Sequence, residues 1–367
     1  MHRRVALLSA FALAVAGALA PSGAARAGTG LDPWPAGRSA ADSAPERRAV
    51  LEYWTPQRML AAQPLAAPGP RRAGTSGESP TQGRPWSTRG ASAITPERAP
   101  QDTPQRTPQR SYPGSSLGTQ WTVQGASAVT TQQGLQVPNS PGLRWTDGGA
   151  VVRTTGRVFF TTAEGRNASC SGSAVTSANE SVVMTAGHCV KMNGAFHRNW
   201  VFVPGFDNGR RPFGTWAASR LLTTQQWNAS EDINFDIAAA VMAPLQGRTL
   251  VDVVGGQGIA FNQPRRLQMF SFGYPAAPPF DGSTLTYCSG RAFNDTVMTR
   301  DQGLRCNMTG GSSGGPWFRS FDESTGLGTL NSVNSFKYNF APDFMFGPFF
   351  GNEAMALYQA AQNTNAL

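Results

Sequence analysis

Three stretches of this sequence carry side chains suited to nucleophile and proton chemistry. Asn307-Met308-Thr309-Gly310-Gly311-Ser312-Ser313-Gly314-Gly315-Pro316-Trp317 sets two adjacent serines among four glycines. Val183-Met184-Thr185-Ala186-Gly187-His188-Cys189 ends an apolar run on a histidine, and Asn234-Phe235-Asp236-Ile237-Ala238-Ala239-Ala240-Val241 opens another on a carboxylate. A serine hydroxyl is a weak nucleophile until an imidazole takes its proton, and the imidazole works as a base only when it is held and oriented. Asp236 suits the orienting role. A carboxylate beside so apolar a run is costly unless a donor meets it, and an imidazole N–H is such a donor. Asp232 and Glu231, in the polar turn just before, read as solvated.

Each stretch alone has a plainer reading. A short Gly/Ser run is commonly a linker, a lone histidine is commonly a hydrogen-bonded core residue, and Asp236 could simply cap a turn. Cys170, Cys189, His188 and His197 offer metal-ligating atoms, but their spacing fits no common structural-zinc pattern. No metal and no organic cofactor is expected.

The elements that must position these groups are short strands. Beyond Trp145, strand-like runs separated by Gly, Pro, Asn and Asp fall at 157–162, 171–177, 181–186, 199–204, 214–222 and 236–242. A second set falls at 249–255, 265–272, 283–291, 300–308, 314–320 and 328–338. Residues 352–362 alone show a clear helical pattern. An all-β domain of about 220 residues with six strands plus six fits a sandwich or paired barrels. Its four cysteines, Cys170, Cys189, Cys288 and Cys306, read as two disulfides in an exported chain. Three pairings exist; sequence proximity favours Cys170–Cys189 and Cys288–Cys306, each closing a loop of about 20 residues and contributing on the order of 3 kcal/mol. The first would anchor His188.

His188, Asp236 and Ser313 follow one another at separations of 48 and 77 residues. TAGHC, DIAAAV and GSSGGP, in that order, resemble the motifs of the chymotrypsin-like (trypsin-fold) serine peptidases. In overall character the chain is similar to the secreted bacterial members, including the glutamyl endopeptidases. The resemblance spans about residues 145–360. It implies two six-stranded antiparallel β-barrels with the active site between them, a monomer, and protein or peptide substrates. It places the nucleophile directly before Gly-Gly-Pro, which selects Ser313, with His188 as base and Asp236 as its orienting acid. It also assigns an oxyanion hole to the N–H groups of Gly311 and Ser313, puts Asn307 near the pocket floor, and runs Ser335, Phe336 and Lys337 beside the substrate backbone. The runner-up is a protease-like binding protein that kept the fold and lost activity.

Two departures matter. The animal enzymes carry an acid just before the serine, where this chain has Ser312, and no Ile-Val-Gly-Gly-like start is visible. The strand after the nucleophile, Ser332 to Lys337, holds no histidine of the kind glutamyl specificity needs, and Lys337 stands where the family usually has glycine. Substrate specificity is therefore left unassigned.

The N-terminal part differs in texture. His2-Arg3-Arg4, an apolar run at 5–20 and Ala25-Arg26-Ala27 read as a secretory signal over residues 1–27. Residues 28–143 are rich in Pro, Ala, Arg, Ser and Gln. They repeat Thr-Pro-Gln-Arg at 55–58, 103–106 and 107–110, with Thr-Pro-Glu-Arg at 95–98. Apolar residues are too sparse there to offset ordering entropy, so a disordered segment is expected, read as a propeptide preceding a peptidase domain at 144–367. One piece, 44–62, has a helical pattern broken at Pro56. The net charge of +9 invites a nucleic-acid reading. The first 140 residues carry 14 Arg against 7 acids, and the rest carry 17 Arg and Lys against 15 acids. The folded part is thus near neutral, which argues against a nucleic-acid face. Secretion, with no membrane association once the signal is gone, is the expected location.

Overall fold

Six short apolar runs of the first half close on themselves. In the computed structural model, which describes residues 35–65, 69, 78–93 and 140–366, the spatial order is Arg198–Pro204, Thr155–Thr161, Asn167–Val175, Val182–Thr185, Ala238–Met242 and Trp216–Thr223. Each strand is antiparallel to the next, and the last pairs back onto the first. Closure leaves no ladder edge within the ring, and side chains fill it. Every residue of Thr155–Thr161 is buried.

The second half is built differently. Gly258–Phe261, Leu327–Val333, Pro316–Asp322, Gln268–Gly273 and Thr286–Arg291 are neighbours in one sheet, extended at its ends by Trp86–Ser87 and Ser140–Arg144. A separate three-stranded sheet joins Phe293–Asn294, Gln302–Arg305 and Phe344–Gly347. One pair, Gly258–Phe261 with Leu327–Val333, is parallel. The two sheets are joined where Ser335 N and Phe336 N donate to Phe346 O and Phe346 N donates to Phe336 O, and by the disulfide between Cys288 and Cys306. The C-terminal helix spans Asn352–Gln362, as its pattern predicts.

One expected strand is a helix. Leu250–Val254 is helical, and the strand lies just beyond it at Gly258–Phe261. Valines favour strands, but Thr249 caps this turn by accepting from Asp252 N at 3.3 Å, and Leu250, Val251, Val253 and Val254 are all buried. Capping and burial outweigh a propensity worth at most about 1 kcal/mol.

Part of the segment before residue 140 is ordered, so disorder does not describe it throughout. Ala36–Ser39 adds antiparallel to Trp216–Thr223. Helices Ala44–Tyr53 and Pro56–Ala61 follow, divided at the expected proline, which starts the second helix where its missing N–H costs nothing. Trp54, Met59, Ala62 and Leu65 are buried in the same core as the first barrel. These few apolar residues have a ready surface to dock on, which a composition argument does not see. The signal at 1–27 and the repeats at 95–98, 103–106 and 107–110 lie outside the described residues.

Candidate active site

His188 sits in a short 3-10 turn, Gly187–Cys189, directly after the strand Val182–Thr185. Cys189 is bonded to Cys170 of the neighbouring strand, as expected, and Cys288 is bonded to Cys306. The first bond spends both thiols, so Cys170, Cys189 and His188, although clustered, form no zinc ligand set. His197 is also occupied: its Nε2 lies 2.9 Å from His188 O, and its ring stacks on Phe160 at 4.2 Å. Burial pushes the His197 imidazole down to about 4.

Asp236 follows the turn Ile233–Phe235 at the entry to Ala238–Met242. The turn is capped by Asp232, whose Oδ1 accepts from Asn234 N at 3.1 Å. Asp232 is thus buried and structural rather than solvated, because the cap uses its carboxylate. Thr223 Oγ1 and Thr224 Oγ1 donate to Ile237 O and Phe235 O and fix the turn against the preceding strand. Asp236 is fully buried. Its Oδ2 lies 2.8 Å from His188 Nδ1, its Oδ1 accepts from His188 N at 2.8 Å, and Ser335 Oγ donates to Oδ2 at 2.5 Å. The imidazole is gripped at ring and backbone by one carboxylate. His188 Nε2 is buried without a partner, and no hydrogen bond joins it to Ser313 Oγ.

The serine loop docks onto the strand that carries Cys170. Ser171 N donates to Ser313 O at 2.7 Å, and Ser171 Oγ donates to Gly311 O at 2.9 Å. Thr185 Oγ1, three residues before His188, donates to Ser171 O. Gly311 has φ +95, and a β-carbon there would lie 2.8 Å from Tyr274 O, so only glycine fits. Among the described residues the N–H groups of Gly311 and Ser313 have no partner. The loop is rigid, not a linker: Ser312 Oγ donates to Thr309 O at 2.7 Å, and Gly315 N donates to Ser312 O at 2.9 Å.

One residue outside the sequence expectations organises this loop. Asn334 Nδ2 donates to Phe272 O and Ser312 O, both at 3.0 Å, and its Oδ1 accepts from Ser271 Oγ and Trp317 Nε1, both at 2.7 Å. Its main chain pairs with Gly314 and Gly315. Every polar group of a fully buried amide is used. The available signal was an asparagine inside the buried run Ser332 to Ser335, where an unpartnered amide would be expensive.

The residues expected beside the substrate divide. Ser335 spends its hydroxyl on Asp236, an orienting contact the sequence expectation lacked. Phe336 exchanges N–H and C=O with Phe346, which leaves Ser335 C=O and the N–H and C=O of Lys337 unpartnered among the described residues. Lys337 reaches away from them: its Nζ donates to Cys306 O at 2.8 Å and Pro342 O at 2.5 Å, and burial pushes its ammonium down to about 8. Asn307 Oδ1 accepts from Gly142 N at 2.7 Å, tying the loop to the strand Ser140–Arg144.

No family model and no curated protein sequence matches the chain. Solved structures do. The protease Anisep from Arthrobacter nicotinovorans is 44% identical, with a TM-score of 0.57; the match covers 61% of this chain and all of that one. The thermostable serine protease AL20, from an extremophilic microorganism, is 46% identical with a TM-score of 0.56, over 59% of this chain and all of its own. Both proteases are matched along their whole length at an identity far above chance, and this chain, with its closed six-stranded barrel and two disulfides, belongs to the trypsin-fold serine proteases.

Proposed function

We propose that this protein is a secreted serine endopeptidase acting through Ser313, His188 and Asp236. Ser313 Oγ attacks the peptide carbonyl carbon while His188 Nε2 takes its proton; the Oγ–C bond forms, the C–N bond breaks, and His188 passes the proton to the leaving amine. Water then repeats the sequence on the acyl-enzyme. Asp236 holds the imidazole through Nδ1 and its backbone N–H and stabilises its charge. The unpartnered N–H groups of Gly311 and Ser313 receive the developing oxyanion, each such donor being worth roughly 2.7–4 kcal/mol. Ser335 C=O and the Lys337 main chain offer the free edge for the acyl half of the substrate, with Asn307 and Phe336 beside it.

The observation that carries this reading is the pairing of opposites: an imidazole gripped by one carboxylate at Nδ1 and at its backbone N–H with Nε2 left unpartnered, and a serine loop with two N–H groups unused among the described residues. The two disulfides are consistent with an oxidising, extracellular location. Among the described residues no helix is long and apolar enough to cross a membrane. Residues 144–367 make up about three-fifths of the chain, the share its structural neighbours cover, which supports removal of a signal at 1–27 and a propeptide at 28–143. A monomer without metal or cofactor suffices.

The test is a fluorophosphonate probe. The chain should label once, at Ser313, and Ser313→Ala should abolish labelling and lower kcat on the order of 10⁶-fold with the fold intact. Ser312→Ala should keep most activity. A folded chain that never labels is a protease-like binding protein.

A further inference from the structure

The strand Asn167–Val175 runs from the outside of the first barrel to the serine loop, where Ser171 meets Ser313 O. Its outer end is not free. Gln63 and Pro64 pair in parallel with Ala168 and Ser169, and Leu65 N donates to Ser169 O at 3.1 Å. The contact reaches the loop itself: a β-carbon on Gly310 would lie 3.3 Å from Leu65 O and 3.5 Å from Pro64 Cβ. Gly310 directly precedes the oxyanion donor Gly311. If the acyl half of a substrate lies along Ser335 to Lys337, the leaving half must depart on the opposite side of Ser313, along residues 167–169. That edge is where the N-terminal segment sits.

The segment is delivered there by a folded anchor. Ala36–Ser39 extends the barrel sheet, Ser43 and Glu46 form a reciprocal cap on the first helix, and Trp54 is buried against Phe159 with its Nε1 donating to Asn199 O at 2.5 Å. Tyr53 OH donates to Asn167 Oδ1 at 2.8 Å, next to the docked strand. Beneath Gln63 to Leu65 lies a cavity of about 410 Å³, shared with Thr162, Arg166, Met192 and His197 of the barrel. It is large enough to accept a side chain once the segment leaves.

We propose that residues 36–65 are an inhibitor built into the chain, which docks by strand addition on the leaving-group side of the site and excludes that half of a peptide substrate. This rests on Ser313 being the nucleophile. The polarity of the docked strand fits the role. Residues 63–65 run toward Ser313 from N to C, whereas the leaving half of a substrate runs away from it. The segment therefore fills the edge without presenting a bond in the orientation that is cut.

The test compares two substrates sharing one acyl half, taken from any bond the enzyme cleaves: a methyl ester, and a peptide with three residues on the leaving side. In the intact full-length chain, checked by mass spectrometry, the peptide should be disfavoured through its KM. Leu65→Asp, which places a charge in the docked contact, and Trp54→Ala, which removes the anchor, should each raise kcat/KM for the peptide at least about tenfold and move the ester less than about twofold. The wild-type chain compared before and after loss of its N-terminal segment should shift the same way, which needs no substitution. A peptide-to-ester ratio unchanged in both variants and by segment removal, with Ser313 still labelled by fluorophosphonate, overturns the inhibitor. No labelling in any form overturns the nucleophile instead, and the inhibitor with it.

Discussion

The two sides of the cleft are held by different means. On the barrel side, His188 and Asp236 are wholly buried and tied by two hydrogen bonds to one carboxylate, with Ser335 supplying a third. On the other side, the loop from Asn307 to Gly315 carries no ion pair among the described residues, and neutral bonds from Ser171, Ser312 and Asn334 hold it. Charge is concentrated at His188 and Asp236, where the proposed mechanism moves a proton and stabilises a positive imidazole. Neutral dipoles hold the loop whose two N–H groups the proposed mechanism uses, where a fixed charge would compete for the same donors. Animal relatives place a carboxylate in the residue before the serine; this chain puts Ser312 there and uses its hydroxyl to close the loop on Thr309.

The comparison breaks most sharply at the charged side. Asp236→Asn keeps the shape of the site but replaces an acceptor that fixes the imidazole tautomer, and kcat should fall on the order of 10⁴-fold with little change in KM. A loss below about tenfold would mean that His188 is oriented by something else. On the neutral side the change to make is Asn334→Ala. It leaves two buried carbonyls and the partners Ser271 Oγ and Trp317 Nε1 unmet, each costing about 1–3 kcal/mol. The urea midpoint should drop markedly, and the folded fraction should label with fluorophosphonate at a rate about 10²-fold lower. Unchanged labelling would show that the loop holds its shape without the amide.

What was legible in the sequence follows the same division. The first barrel is read almost strand for strand, because alternating Val, Phe, Ala and Thr runs and their turn residues agree with the fold. His188, Asp236 and Ser313 stand out because each interrupts a pattern: a polar group closing an apolar run, or serines among glycines. Asn334 interrupts one too, but its purpose depends on carbonyls of Phe272 and Ser312, far away in the chain, and no local signal reports those. The helix Leu250–Val254 was hidden by valines that read as strand. The docked segment at 36–65 was hidden by composition, since five buried apolar residues (Ala41, Trp54, Met59, Ala62 and Leu65) among many prolines and arginines look too few until a barrel surface is there to take them.

His197 sharpens the contrast between the histidines. It is buried like His188, but its partner is a main-chain carbonyl, its Nδ1 makes no hydrogen bond, and the pull of the Glu164 carboxylate is smaller than the effect of burial. Burial therefore lowers its folded pKa to about 4 from an ordinary value near 6.5. Above pH 6.5 the imidazole is neutral in both states. Between 6.5 and 4 the unfolded chain takes up a proton that the folded chain does not, so stability is lost as pH falls through this window, by up to about 3 kcal/mol. Urea melts at pH 7, 5.5 and 4 should show His197→Gln losing less over that range than the parent. Parallel pH profiles would mean that the ring is charged, or wet, in the native state.

The smallest effect tests how far the neutral hold extends. Asn307 lies at the start of the serine loop, and its Oδ1 accepts from Gly142 N, a residue of the strand that leads into the peptidase domain. This link does for the chain's entry what a charged terminus does elsewhere, and it needs an intact peptide N–H at residue 142. A β-carbon on Gly142 would sit 2.6 Å from Asn307 Oδ1 and 2.9 Å from Phe280 Cζ, so Gly142→Ala forces the amide aside and overpacks the ring, at about 1–3 kcal/mol. Asn307→Ala removes one neutral bond, at about 1 kcal/mol. The two sites share that bond, so the double variant should be less impaired than the sum of the singles, with a coupling near 1 kcal/mol in urea melts and kcat/KM reduced only a few-fold throughout. Strict additivity would mean that the entry strand and the serine loop are held independently. Chains beginning after Trp145 would then be as active as chains beginning before Ser140.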